Sequence, residues 1–208
     1  PDVKAALEAM DFDTSHIRVL LHQFVTLTKN GEMVKMSTRK ANFVTLDELM
    51  DMAGTDVVRY FYIMRSMDSH LNFDLALAQK QTDENPVFYL QYAHARMSNV
   101  LRHSTEKGID SYEDADLSLL KEAEIISLIE TMLEFGDIME LCRRSLEPMH
   151  LANYLYKLAT AFHKFYSVHR VVTEDIKLSK ARLQLIDAVR IVLANGLSIL
   201  GVSAPERM

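Results

Sequence analysis

The chain carries a single cysteine, Cys142, and six glycines in 208 residues. One cysteine excludes an internal disulfide and fits a reducing compartment. So few glycines leave little room for a glycine-rich phosphate loop after a strand, and no such loop occurs. No uninterrupted apolar run approaches the roughly 20 residues needed to span a bilayer, and no secretory signal is visible. No His, Cys, Asp and Glu set has metal-ligand spacing. No Ser-His-acid or Cys-His grouping for nucleophilic catalysis can be argued from spacing. Cys142 stands beside Arg143 and Arg144, which would favour a thiolate, but it sits in an apolar helical pattern and reads as an inert core thiol.

What is present is ordinary for a soluble globular protein, 49% hydrophobic and 25% charged. The length suits one large domain, or one domain and a smaller piece. The formal net charge of −6 hides an asymmetry. From Glu106 to Glu140 eleven acids face Lys107 and Lys121, a net of −9. From Arg143 to Arg182 eight Lys and Arg face Glu147, Glu174 and Asp175, a net of +5. Two readings stand side by side. The basic stretch binds phosphates, or the two stretches pair as neighbouring helices.

Local patterns divide the chain. The first ten residues read as a helix. Alternation from Ile17, the turn signal Asn30-Gly31 and the return run Met33–Met36 predict a β-hairpin over 17–36. Thr45, with Glu48 three residues on, predicts a capping box and a helix that stops at Gly54. Asp56 is the expected N-cap of the next helix. Another short helix is expected over 75–81. Asn85-Pro86 pairs a good cap with the favoured first helical residue and marks the best domain boundary. Beyond it only helical periodicity appears. Helices are expected over 86–103, 117–132, 135–146, 148–169 and 180–200, which together predict an antiparallel bundle.

On a helical wheel, Leu151, Tyr154, Leu155, Leu158, Phe162, Phe165, Tyr166 and His169 form one broad stripe, read as core. His169 is expected to be a satisfied structural histidine. Asn153, Tyr156, Lys157, Thr160, Lys164 and Ser167 fall opposite. That face has two lysines, no acid and an exposed tyrosine. Asn153, Tyr156, Lys157 and Lys164 are therefore candidate RNA-binding residues: the ring can stack on an unpaired base while ammonium groups meet phosphates. Ordinary solvent exposure is the competing reading. Asp187 and Arg190, three apart, are expected to form a local ion pair.

The segment Lys35-Met36-Ser37-Thr38-Arg39-Lys40 lies between the predicted hairpin and the capped helix. Loop cations and hydroxyls suit a polyphosphate. The hexapeptide resembles the KMSKS signature loop of class I aminoacyl-tRNA synthetases. The run Gly31–Leu49, the segments Asp68–Leu75 and Asn85–Arg96, and the ending Leu200–Met208 are similar to arginyl-tRNA synthetase in particular. Asp187-Ala188-Val189-Arg190 resembles the Asp-Ala-Leu-Arg sequence that names that family's anticodon-binding domain, with Val189 in place of Leu.

The resemblance implies a mainly α fold. A helical anticodon-binding bundle of the DALR type over 85–208 follows a connecting helical region over 45–84. A remnant of the class I catalytic domain, with its β-hairpin, occupies 1–44. No His-x-Gly-His motif occurs, so the chain is expected to be a C-terminal piece whose amino-acid pocket lies upstream. The implied activity is activation of arginine with ATP, accompanied by Mg2+, and transfer to tRNA(Arg). The piece alone is expected to be inactive. By family analogy Lys35 and Ser37 contact the triphosphate, and the backbone around Met36 lies near adenine. Thr38 stands where the signature usually has a second lysine, so Arg39 or Lys40 must supply that charge. A cytoplasmic monomer with no membrane association is implied. The alternatives are a helical protein-interaction adaptor without nucleotide chemistry, or a class I synthetase for another amino acid.

Overall fold

The computed structural model describes residues 2–29, 31–34 and 44–208. The segment 35–43 lies outside the described residues, and so does Asn30 of the expected turn.

Asp2–Ala9 forms α1, without a buried residue. Val25–Lys29 (β1) and Glu32–Met33 (β2) pair antiparallel, Thr28 opposite Met33 and Lys29 opposite Glu32. The hairpin is thus much shorter than expected. Residues 17–24 form no strand. Val19, Leu20, Leu21 and Phe24 are all exposed, so their alternation has no core layer to face. Leu71–Asp74 (β3) adds a third strand, parallel to β1, in the order β2-β1-β3. Sequence reading missed it. Its partner lies some 45 residues upstream, and four residues make a weak period.

Between β2 and β3 lie α2 (Leu46–Ala53) and α3 (Thr55–Ile63). The capping box forms: Glu48 N–H donates to Thr45 Oγ1 at 3.2 Å, and Thr45 N–H to Glu48 Oε2 at 2.7 Å. That backbone donor holds the Glu48 carboxyl below its usual range. Asp56 is not the cap of α3. Gly54 takes that place, at φ 87°, and the Asp56 carboxylate instead accepts from Ser203 and Gln91.

The short α4 (Leu75–Ala78) leads to α5 (Pro86–Glu106). Asn85 caps α5 as expected. Its side-chain oxygen accepts from Val87 N–H, and its amide donates to Ala78 and Lys80 carbonyls at 3.0 and 2.9 Å. The expected 117–132 helix is broken into a single turn at Leu117–Leu119 and α6 (Ala123–Leu133). Then come α7 (Phe135–Ser145), α8 (Met149–Val168) and α9 (Ile176–Leu200). By length and composition α9 could cross a membrane. Its apolar face is instead bundle core, with Leu183, Ile186, Val189, Leu193 and Leu197 buried.

Helix α8 packs against α5, α6, α7 and α9. Its predicted stripe is the core: Leu155, Leu158, Phe162 and Phe165 are fully buried. The oppositely charged stretches pair with each other. Glu134 meets Lys157, Asp114 meets Lys180, Glu124 meets His169 and Glu122 meets the buried Arg182. Asp187 and Arg190 pair at 2.6 Å, and Tyr112 Oη donates to Asp187. Cys142 is half-buried rather than in the core, and burial raises its thiol instead of favouring a thiolate.

The α8–α9 crossing is close. A Cβ on Gly196 would overlap the Leu155 methyl groups, which are fully enclosed. Gly196→Val should therefore destabilise the chain by about 1–3 kcal/mol through overpacking. Gly136→Ala in α7, where a new Cβ meets nothing within 4 Å, should be neutral or stabilise by up to about 1 kcal/mol. Urea unfolding midpoints of the two variants check this contrast.

Candidate nucleic-acid interface

The periodicity of α5 brings Phe88, Tyr92 and Arg96 onto one face at intervals of four. The packing of α8 on α5 sets Tyr156, Thr160, His163 and Tyr166 beside that face. Tyr89 fills the seam. Its ring centroid lies 5.0 Å from Tyr156 and 4.7 Å from His163, and its hydroxyl donates to Thr160 Oγ1 at 3.3 Å. Tyr92 stacks on Phe88 with an interplanar angle of 8°. The Arg96 guanidinium lies over Tyr92 at 4.7 Å and over Tyr166 at 4.9 Å, and its Nη2 donates to Tyr92 Oη at 2.7 Å. Both tyrosines stay partly exposed, Tyr92 at 38% and Tyr156 at 43%.

The chain's last residues complete this surface. Gln91 Nε2 donates to the Ser203 carbonyl at 3.1 Å, and His94 Nδ1 to that of Pro205 at 2.9 Å. These bonds lay Glu206, Arg207 and Met208 against α5. There they line a groove of about 500 Å3 with Tyr92, Arg96 and Arg102. On the other side of Met208 is a groove of about 560 Å3 lined by Phe88, Gln79, Gln81 and Gln91. An aromatic platform flanked by guanidinium groups and amides can stack unpaired bases, bond their edges and meet phosphates.

Of the residues expected to bind RNA, Asn153, Tyr156, Lys157 and Lys164 are all exposed on α8. They do not act as one face. Tyr156 belongs to the α5 seam. Lys157 turns the other way and bonds Glu134 at 2.6 Å, and Lys164 lies near Glu124. The acid-free face read along α8 is therefore supplied with acids by neighbouring elements. Sequence reading did not single out Tyr92 and Arg96, although aromatic and basic residues at 88, 92 and 96 are a visible pattern, nor Tyr89, whose place in the seam depends on α8. Lys35, Met36, Ser37, Thr38, Arg39 and Lys40 lie outside the described residues.

The sequence pattern of the DALR anticodon binding domain matches residues 90–208, more than half of the chain. The chain belongs to this family. Over its whole length it is also similar to enzymes named arginine–tRNA ligase. It is 50% identical over 210 residues to that of Desulfotalea psychrophila, covering 100% of this chain and 38% of the relative. To that of Salinibacter ruber it is 49% identical over 208 residues, covering 100% and 37%. The chain thus spans a little over a third of the curated relatives it matches. A solved Campylobacter jejuni protein assigned as an arginyl-tRNA synthetase superposes with a TM-score of 0.87 at 32% identity, over 99% of this chain and 44% of that one. The arginyl-tRNA synthetase of Thermus thermophilus shares the fold, with a TM-score of 0.72 at 24% identity over 88% and 34%. These matches bear out the resemblance to the C-terminal portion of arginyl-tRNA synthetase and leave no ground for the adaptor reading.

Within the DALR bundle, His163 sits in the seam against Tyr89. Burial pushes its imidazole down to about 4, with the Arg96 charge adding to the effect. Its Nε2 is buried with no partner among the described residues. The ring is neutral at pH 7, so it adds no charge beside Arg96. Its folded pKa lies below the unfolded value of about 6.5. The unfolded chain therefore binds more protons between those values, and stability falls as pH drops from about 6.5 towards 4. His163→Gln should narrow the difference between urea midpoints at pH 7 and pH 4.5, relative to the parent chain.

Proposed function

We propose that this chain is the RNA-holding and ATP-loop part of an arginine–tRNA ligase, which activates arginine with ATP and transfers it to tRNA(Arg). The observation that carries this reading is the aromatic and cationic seam of α5 and α8, which apart from Phe88 and Tyr89 falls inside the span matched by the DALR anticodon binding domain. Unpaired bases of the anticodon loop would stack on Tyr92 and Tyr156. Arg96, Arg102 and Arg207 would face base edges and phosphates. In this reading 85–208 hold the anticodon arm, 45–84 connect, and 1–44 belong to the catalytic side. The working protein is a cytoplasmic monomer.

Attack of the arginine carboxylate on the ATP α-phosphate breaks the bond to the β-phosphate and releases pyrophosphate; charge builds on the phosphate oxygens, so positioned cations and donors carry the rate. By the resemblance to the signature loop, Lys35 and Ser37 would take that role, Met36 would serve adenine and Thr38 could offer a hydrogen bond. Arg39 or Lys40 supplies the second charge, and Mg2+ accompanies the nucleotide. In the enzyme that includes the upstream catalytic half, Lys35→Ala should slow arginine-dependent ATP–pyrophosphate exchange by about 2–4 kcal/mol of transition-state stabilisation. An unchanged exchange rate removes Lys35 from the mechanism.

Fluorescence anisotropy with a labelled anticodon stem-loop tests the RNA surface. Tyr92→Ala should weaken binding by about 1–3 kcal/mol through lost stacking. Lys157→Ala should change it much less, because Glu134 already offsets that charge. Equal losses in both variants would move the surface to the outer side of α8.

A further inference from the structure

A second groove of about 540 Å3 lies at the far end of the α5–α8 seam. Asn99, His103 and Lys107 of α5 line one wall. Tyr166, His169 and Arg170, from the end of α8 and the turn beyond it, line the other. Asn99 and Tyr166 also line the groove that holds Arg96 and Arg207, so the two depressions are continuous. His103 pairs with Glu106 and His169 with Glu124. Arg96, Arg102, Lys107, Arg170 and Arg207 are different: among the described residues none of the five makes an ion pair. Most cations of α7 to α9 do, including Arg143, Arg144, Lys157, Lys180, Arg182 and Arg190. Among the described residues, Glu206 is the one acidic side chain lining either depression. Uncompensated cations gathered along one groove of a chain with net charge −6 mark a polyanion track.

We propose that a bound RNA strand does not end at the aromatic platform but runs on along the seam, where Lys107 and Arg170 hold its flanking phosphates. This rests on the reading of the seam as an RNA surface. Tyr92 and Lys107 are fifteen residues apart on and at the end of one helix, about 22 Å along its axis. At about 3.4 Å per stacked nucleotide this is roughly six nucleotides. The platform takes the bases and the far groove takes the backbone. A simpler role competes: cations at helix C-termini offset the partial negative charge there, and Lys107 caps α5.

The test compares labelled single-stranded RNAs of about 4 and about 12 nucleotides, titrated against the full chain at several salt concentrations. The longer strand should bind the parent chain more tightly and with a steeper salt dependence. In Lys107→Ala/Arg170→Ala that gain with length should disappear, and the salt slope for the longer strand should flatten by roughly 1.4, about 0.7 per lost single-strand phosphate contact. Binding of the shorter strand should be unaltered. An unaltered slope for the longer strand overturns the proposal. If Tyr92→Ala still weakens both lengths in that case, the platform reading survives and only the extension falls. If Tyr92→Ala changes neither, the RNA surface itself is refuted. A lowered melting temperature with an unaltered slope assigns the two cations to the helix ends, which also overturns the proposal. Should the double variant fail to fold, Lys107→Gln alone decides, with an expected flattening of about 0.7.

Discussion

The burial of one stripe of α8 governs the arrangement of the bundle. Leu155, Leu158, Phe162 and Phe165 are fully enclosed, and each such side chain contributes about 1.5–3 kcal/mol when taken from water. Burying them requires α5, α6, α7 and α9 to stand around α8 at once. Gly196 lets α9 approach α8 closely, because Leu155 occupies the space a side chain there would need. With the stripe committed to the core, the rotation of α8 about its axis is set. Tyr156, Thr160 and His163 must then emerge at the α5 seam, where Tyr89 meets them.

Electrostatics follow from the same packing. The acidic stretch supplies α6 and the start of α7, and the basic stretch supplies α8 and the start of α9. Their contacts consume much of the apparent positive charge, in pairs such as Lys157 with Glu134 and Arg182 with Glu122. Both pairs reach across elements, so a net of +5 in one segment does not describe a basic surface. The cations of the α5–α8 seam escape this neutralisation. Arg96 meets two tyrosine rings instead of a carboxylate, an arrangement that leaves its charge available to an anion while fixing its position.

The connecting helices, the bundle and the chain's last residues are joined by polar contacts rather than by apolar packing alone. Asp56 near the start of α3 and Gln91 in α5 converge on Ser203. Ser66, past the end of α3, donates to Glu147, which stands just before α8, at 2.7 Å. The connecting helices, the bundle and the final residues thereby share one frame. That frame places Arg207 and Met208 in the groove with residues more than a hundred positions upstream.

Much of this was legible in the sequence because it is local. The Thr45–Glu48 box, the Asn85-Pro86 start and the core stripe of α8 depend on spacings of three or four residues, and all appear as read. The KMSKS-like segment and the Asp-Ala-Val-Arg run likewise pointed to the family through short stretches. What was not legible depends on residues far apart in the chain. Strand β3 needed β1 as a parallel partner. Asp56 looked like a cap until Ser203 and Gln91 claimed its carboxylate. The lysine face of α8 looked free of acids until α6 and the start of α7 supplied them, and the platform joins aromatics of α5 and α8 some sixty residues apart. A chain by itself determines which residues can begin a helix and which face of it must be buried, because those follow from backbone geometry over a single turn. Which polar and aromatic groups of different helices meet was decided only by the tertiary packing, because the core sets the rotation and neighbour of each helix without regard to its exposed side.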